Sequence, residues 1–191
     1  LVVYYVADIW LRSSEYLRTA YVTNGYRSVH DMAAESNAIL AIDGDYAFSR
    51  EYGPIVRNGA FLRDTGFDDI LVYYTDGSMR IFRGNAFDMD AEMEKGAVQV
   101  WSFGPALLDA EGKSIDKFNT NIAGLNPRAA LGYYEPGHYC IVTVAGRRTD
   151  RATGQTEGEG RGMTLAELAS LMQELGCSRA YNLDGGATSM L

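Results

Sequence analysis

Two dipeptides constrain the architecture more than any other feature of the chain. Asn58-Gly59 lies between the apolar pairs Ile55-Val56 and Phe61-Leu62, and Asp76-Gly77 lies between the apolar runs 71–74 and 79–82. A two-residue hairpin turn needs positive φ at its centre, which Asn, Asp and Gly tolerate, and its twist matches that of two antiparallel strands. Glu111-Gly112 and Glu135-Pro136-Gly137 mark further turns, the second joining 129–134 to 139–145. Antiparallel pairing is therefore predicted to dominate.

Helical signals are fewer. Thr164-Leu165-Ala166-Glu167 is a capping box, followed by Leu168, Leu171, Met172 and Leu175 at helical spacing and stopped by Gly176. Two shorter helices are predicted, over Val29–Glu35 and over 87–95, the latter acidic early and ending in Lys95-Gly96 as the helix dipole prefers. Residues 146–162 are polar and glycine-rich, and are predicted to form a long mobile or functional loop, with Gly146-Arg147 and Glu159 as a candidate lid. The element order predicts an α+β fold: mixed, largely antiparallel sheets with a few flanking helices, in a single domain over 1–191.

Composition excludes several function classes. With 191 residues, 47% apolar and 22% charged, the chain can bury a core without metal or disulfide staples. Its apolar runs, 1–7 and 39–42, fall short of the roughly 20 residues that cross a bilayer, and nothing in the given stretch resembles a signal peptide, although one could have been removed. Leu1 opens directly in a strand-like run, so the domain is expected to be truncated at both ends. A net charge of −8 argues against nucleic acid as a partner. Lys95, Lys113 and Lys117 are the only lysines among 17 basic residues, so an Arg inside a motif is a candidate for gripping a carboxylate or phosphate. Cys140 and Cys177 lack metal-site or CxxC spacing. Cys140 would share a strand face with His138, yet it is expected to be a small buried apolar residue, and whether the two cysteines pair is left open.

Two segments share a form. The run 38–42 leads to Asp43-Gly44-Asp45-Tyr46, and 180–183 leads to Asp184-Gly185-Gly186-Ala187-Thr188-Ser189. A buried strand ending in Asp-Gly would deliver a carboxylate at a sheet edge beside backbone N–H groups able to hold an anion. Other motifs fail on spacing: 43–45 lacks the rest of an EF-hand loop, and 158–162 has no preceding strand for a dinucleotide fingerprint. No P-loop or nucleophile elbow occurs, and His30 beside Asp31 is expected to be structural.

Asn182-Leu183-Asp184-Gly185-Gly186, preceded by Gly162-Met163-Thr164-Leu165-Ala166-Glu167-Leu168 and Leu175-Gly176, resembles the C-terminal signature of the phosphodiester glycosidase family. Further matches lie at 5–9, 41–46, Val56-Arg57-Asn58-Gly59, Ser102-Phe103-Gly104-Pro105 and 126–132, so the resemblance covers nearly the whole chain. The chain departs from the family pattern at Asp43, Ala129 and Ala187, where Asn, Thr and a small polar residue or Gly are usual.

The resemblance implies a glycoside hydrolase that cleaves the bond between a sugar C1 and a phosphodiester, in an extracytoplasmic or cell-envelope setting such as exopolysaccharide metabolism. Its partner would be a carbohydrate phosphodiester. The departing group would be a phosphate monoester, whose second pKa near 6 makes it a good leaving group. Asp184 is then expected to face the sugar, as nucleophile or as base for water, with Asp45 as the second carboxylate. Arg128, in Asn126-Pro127-Arg128, is expected to clamp the phosphate, helped by Gly185, Gly186, Thr188 and Ser189, with Asp43 and Arg147 as further substrate- or phosphate-binding residues. No cofactor is required, although Asp43, Asp45 and Asp184 would also suit calcium or magnesium. The competing expectation is a non-catalytic envelope module that binds glycan or glycosyl phosphate. Sugar identity, stereochemical course and oligomeric state are not encoded in these motifs.

Overall fold

The predicted turns each close an antiparallel pair. The structure, a computed structural model, describes residues 1–25, 27–45, 47–149 and 156–185. After β1 (Val3–Trp10) comes α1 (Val29–Glu35), started by the Ser28 hydroxyl accepting from the Asp31 amide. Asn58 (φ 51°) and Gly59 (φ 83°) turn β2 (Ile55–Arg57) into β3 (Ala60–Arg63). Asp76-Gly77 turns β4 (Asp69–Tyr74) into β5 (Met79–Arg83). The next helix, α2 (Met89–Glu94), begins later than its predicted start because Asp88 caps the Ala91 amide and a 3-10 turn occupies Gly84–Ala86. There follow β6 (Ala97–Trp101), β7 (Arg128–Glu135), β8 (His138–Thr149), β9 (Thr156–Arg161), α3 (Leu165–Glu174) with its full capping box, and β10 (Arg179–Leu183).

The fold is α+β, and every strand pair among the described residues is antiparallel. One sheet runs β1-β8-β7-β10 with β9 also on β8; the other runs β3-β2-β6-β4-β5. The sheets pack face to face, Leu71, Tyr73 and Trp101 of the second against Leu131, Tyr139, Tyr181 and Leu183 of the first. Alternation along each strand leaves the opposite faces apolar as well, and a helix covers each. Leu165, Leu168 and Met172 of α3 cover Ala130, Cys140 and Val142, while Met89 of α2 covers Val56, Ile70 and Val72. Each of the fully buried Leu, Ile, Val and Met side chains contributes roughly 1.5–3 kcal/mol. No helix among the described residues is long and apolar enough to cross a membrane.

Two expectations are corrected. Residues 38–42 form no strand: α1 ends in Asn37 at φ 50° and the chain crosses irregularly, leaving Ile39 fully exposed. Of the stretch predicted as a long loop, 146–149 and 156–161 are strand: β8 runs on past Gly146 and pairs with β9, Arg148 opposite Glu157 and Thr149 opposite Thr156, while 150–155 lie outside the described residues. The ladder's backbone hydrogen bonds form whatever the side chains, so a polar, glycine-rich composition conceals it. Cys140 and Cys177 are buried free thiols with sulfurs 3.5 Å apart. His138, on the same strand face as Cys140, is stacked between Trp10 and Tyr134 and bonds Asp8 through Nε2 at 2.7 Å.

Candidate active site at the seam between the sheets

Strand alternation turns Arg57 of β2 toward the seam between the sheets, where it is 1% exposed. Its Nη2 donates to Asp45 Oδ1 at 2.5 Å, Nη1 donates to the Val100 carbonyl at 2.5 Å, and the guanidinium lies 6.0 Å from the Trp101 ring centre. Asp45 Oδ2 accepts from the Ser102 amide at 3.3 Å, and the Asp45 side chain is only 4% exposed. A charge removed from water this completely persists only when paired and hydrogen-bonded. Residues 43–45 are thereby pinned to the second sheet.

The end of β10 belongs to the first sheet. There the Asp184 amide donates to the Gly44 carbonyl at 2.9 Å. The two Asp-Gly segments of the sequence thus meet across the seam, Asp43-Gly44-Asp45 on one side and Asp184-Gly185 on the other. Close packing dictates the glycine: a Cβ on Gly185 would lie 2.3 Å from Arg128 Cα and 2.5 Å from the Ala129 nitrogen. Asp43 is partly buried immediately before Gly44.

Arg128 opens β7, the strand beside β10, whose Leu183 faces Ala129. Arg128 and Asp184 therefore stand at the same end of neighbouring strands. The guanidinium, however, is 3% exposed and bonds main-chain carbonyls: Nε reaches Met163 at 2.9 Å, and Nη2 reaches Ile122 at 2.7 Å and Gly124 at 2.5 Å. Burial pulls its pKa down to about 10. It ties the 122–124 loop and the approach to α3 against the strand pair. Gly186, Thr188 and Ser189 lie outside the described residues. So does the side chain of Arg147, whose backbone sits in β8.

Asp43, Asp45 and Asp184 do not gather into a cation cage, and no group of three or more His, Cys, Asp or Glu suited to a metal occurs among the described residues. Asp45 instead faces a guanidinium and an amide. Sequence reasoning gave Arg57 no role. The signal was present: an Arg inside a motif, two residues after buried Ile55 on a strand, must share that residue's face. Arg50 and Arg63 were passed over too. Arg63 donates to the carbonyls of Gly53, Arg50 and Tyr52, and the Arg50 guanidinium lies over the rings of Phe103, Phe67 and Tyr52.

A family-model comparison identifies one family, and solved structures share the fold. A family model described as phosphodiester glycosidase matches residues 36–191. An uncharacterised SPbeta prophage-derived protein, YomE, of Bacillus subtilis strain 168 is 28% identical over 177 residues, covering 87% of this chain and 26% of that protein. The chain thus spans about a quarter of the length of this curated relative. Among solved structures, the catalytic domain of zebrafish N-acetylglucosamine-1-phosphodiester alpha-N-acetylglucosaminidase, auto-inhibited by its pro-peptide, superposes with a TM-score of 0.64 at 21% identity. That match covers 97% of this chain and 61% of the zebrafish chain. A hypothetical protein from Synechocystis matches with a TM-score of 0.50 at 14% identity, over 97% of this chain and 52% of its own. At these identities the two structures speak to the fold.

Proposed function

The chain belongs to the phosphodiester glycosidase family, and from that premise we propose that it hydrolyses the bond between a sugar C1 and a phosphodiester at the seam where Asp184 meets residues 43–45. The observation that carries this reading is the Asp184 to Gly44 hydrogen bond, which joins two carboxylate-bearing segments 140 residues apart in number. In the proposed reaction the bond from C1 to the phosphate oxygen breaks as Asp184 attacks C1, giving a glycosyl ester that water then hydrolyses to regenerate the carboxylate, or as water attacks C1 directly with Asp184 taking its proton. The phosphate departs as a monoester anion that needs little protonation. Asp45, held by Arg57 and the Ser102 amide, supplies a fixed second carboxylate whose orientation costs nothing at the moment of reaction.

On the phosphate side we place Gly185, Gly186, Thr188, Ser189 and Arg147, with Asp43 as a carboxylate that binds the substrate's hydroxyl groups. Arg128 contributes by positioning, because its bonds fix the loop and strand end around Asp184. No step of the proposed reaction is routed through a cation. An extracytoplasmic setting follows from the family resemblance.

The test is sugar release from a panel of glycosyl 1-phosphodiesters, with and without chelator. The zebrafish protein's name makes an N-acetylglucosamine diester the natural first member. Asp184→Asn is expected to lower turnover by ~100-fold or more while the thermal midpoint stays in place, with chelator without effect on the wild-type rate. Wild-type turnover by purified Asp184→Asn discards the mechanism. Tight binding of the diester with no release by the wild type replaces the hydrolase with a binding module.

A further inference from the structure

A cleft of about 330 Å³ opens between the 67–69 and 103–105 segments on one side and 118–122 on the other. Phe67, Phe103 and Phe118 line it together with the polar groups of Asp68, Asn119 and Thr120. Among the described residues no Lys or Arg lines it. Its volume lies at the lower end of the ~300–1,000 Å³ usual for small-molecule sites.

We propose that this cleft is a subsite for an uncharged sugar residue, the part of the substrate remote from the phosphate; the proposal rests on the hydrolase reading above. Three features support it. Aromatic faces suit the apolar C–H face of a pyranose ring, while carboxylate, amide and hydroxyl groups at the rim accept from and donate to ring hydroxyls. Asp68, with no Lys or Arg among the described lining residues, disfavours phosphate there, whereas Asp69 is already paired with Arg83 at 3.6 Å, so the charge of Asp68 selects which end of the substrate enters. Finally, both walls are anchored to the strand pair that ends in Asp184. Asn182 donates from Nδ2 to the Gly104 carbonyl at 2.8 Å and from its backbone to the Pro105 carbonyl at 3.0 Å, holding one wall. Arg128 holds the other through the Ile122 carbonyl at 2.7 Å. The cleft floor is set as well, because Asp69 Oδ2 accepts from the Ala106 amide at 2.8 Å. A site braced in this way is preformed, and a ligand does not have to order it.

Calorimetric titration with N-acetylchitobiose, cellobiose and maltose, and with inorganic phosphate as competitor, tests the idea on the full chain. At least one neutral disaccharide is expected to bind, Phe118→Ala and Asp68→Asn should each weaken it by about tenfold, and phosphate should not displace it. Asp68 is exposed, so its variant folds; thermal unfolding checks Phe118→Ala, whose ring also packs beside α3. Failure of all three sugars to bind, binding that both variants retain at full strength, or displacement by phosphate overturns the proposal. Diester hydrolysis by the same proteins separates the two readings. Hydrolysis without saccharide binding removes the cleft proposal alone. Variant-sensitive binding by a wild-type protein that hydrolyses no diester removes the hydrolase reading and leaves the cleft.

Discussion

Two buried arginines meet the cost of burial in different ways. Arg57 faces a carboxylate, whereas Arg128 is solvated by three main-chain carbonyls. Removing the counter-charge of the first strands a guanidinium in an apolar seam, so Asp45→Ala is expected to cost about 3–5 kcal/mol in urea unfolding. The double variant Asp45→Leu with Arg57→Met should recover most of that stability without recovering turnover, because an apolar pair of similar size fits the seam but carries no carboxylate. An Asp45→Ala protein as stable as wild type would refute the ion pair's structural weight. Arg128 shows where residue-level legibility stops. Its motif and its neighbourhood with Asp184 can be read from the chain, but its acceptors at 122, 124 and 163 lie in a loop and before a helix. Which oxygens it meets is decided only when these close over β7.

At the scale of elements, local chemistry was legible and long-range pairing was not. Asn58-Gly59 and the Thr164 capping box act within four residues, and both appear as predicted. The run 38–42 is apolar enough for a strand, yet it forms no ladder: Ile42 packs its side chain against the seam, and the chain is then held by the Asp184 amide on the Gly44 carbonyl and by the Asp45 side chain. The start of α3 makes a pH-dependent prediction. Glu167 accepts from Arg161 and the Thr164 amide, and these bonds hold its carboxyl down at about 2 against an ordinary 4.5. A depressed carboxyl stabilises fully above its unfolded value, and that stability is lost as pH falls from about 4.5 through about 2. Both side chains are about two-fifths exposed, so solvent screening limits the effect to less than ~1 kcal/mol. Glu167→Gln keeps the cap's hydrogen bond and removes the charge. Its unfolding free energy should therefore fall less steeply than wild type between pH 4.5 and 2 at low salt, and parallel curves would rule the contribution out.

For the whole molecule, the decisive relation is the placement of one sheet on the other, because Asp184 rides on the first and Asp45 is fixed to the second. Period-two patterns and turn residues announce antiparallel sheets flanked by helices, but they do not say which faces meet; that follows from packing among residues such as Tyr73 and Tyr139 that lie far apart in the chain. Tyr181 of β10 is the hydroxyl that fastens the seam. It accepts from the Phe103 amide at 2.9 Å and donates to the Asp69 carbonyl at 2.6 Å, both on the second sheet's side. Tyr181→Phe leaves these buried groups unmet, at a cost of about 1–3 kcal/mol. If the seam sets the geometry of the reacting groups, the same change should also lower kcat/KM by about tenfold, or ~1.4 kcal/mol of transition-state stabilisation. Tyr74→Phe is the matched control. Tyr74 bonds Glu92 on the outer face of the second sheet, remote from the seam, so its loss should cost comparable stability and leave turnover unchanged. Equal loss of activity in the two variants would mean that turnover follows global stability, and that the hydroxyl of Tyr181 has no separate part in holding Asp45 and Asp184 to one another.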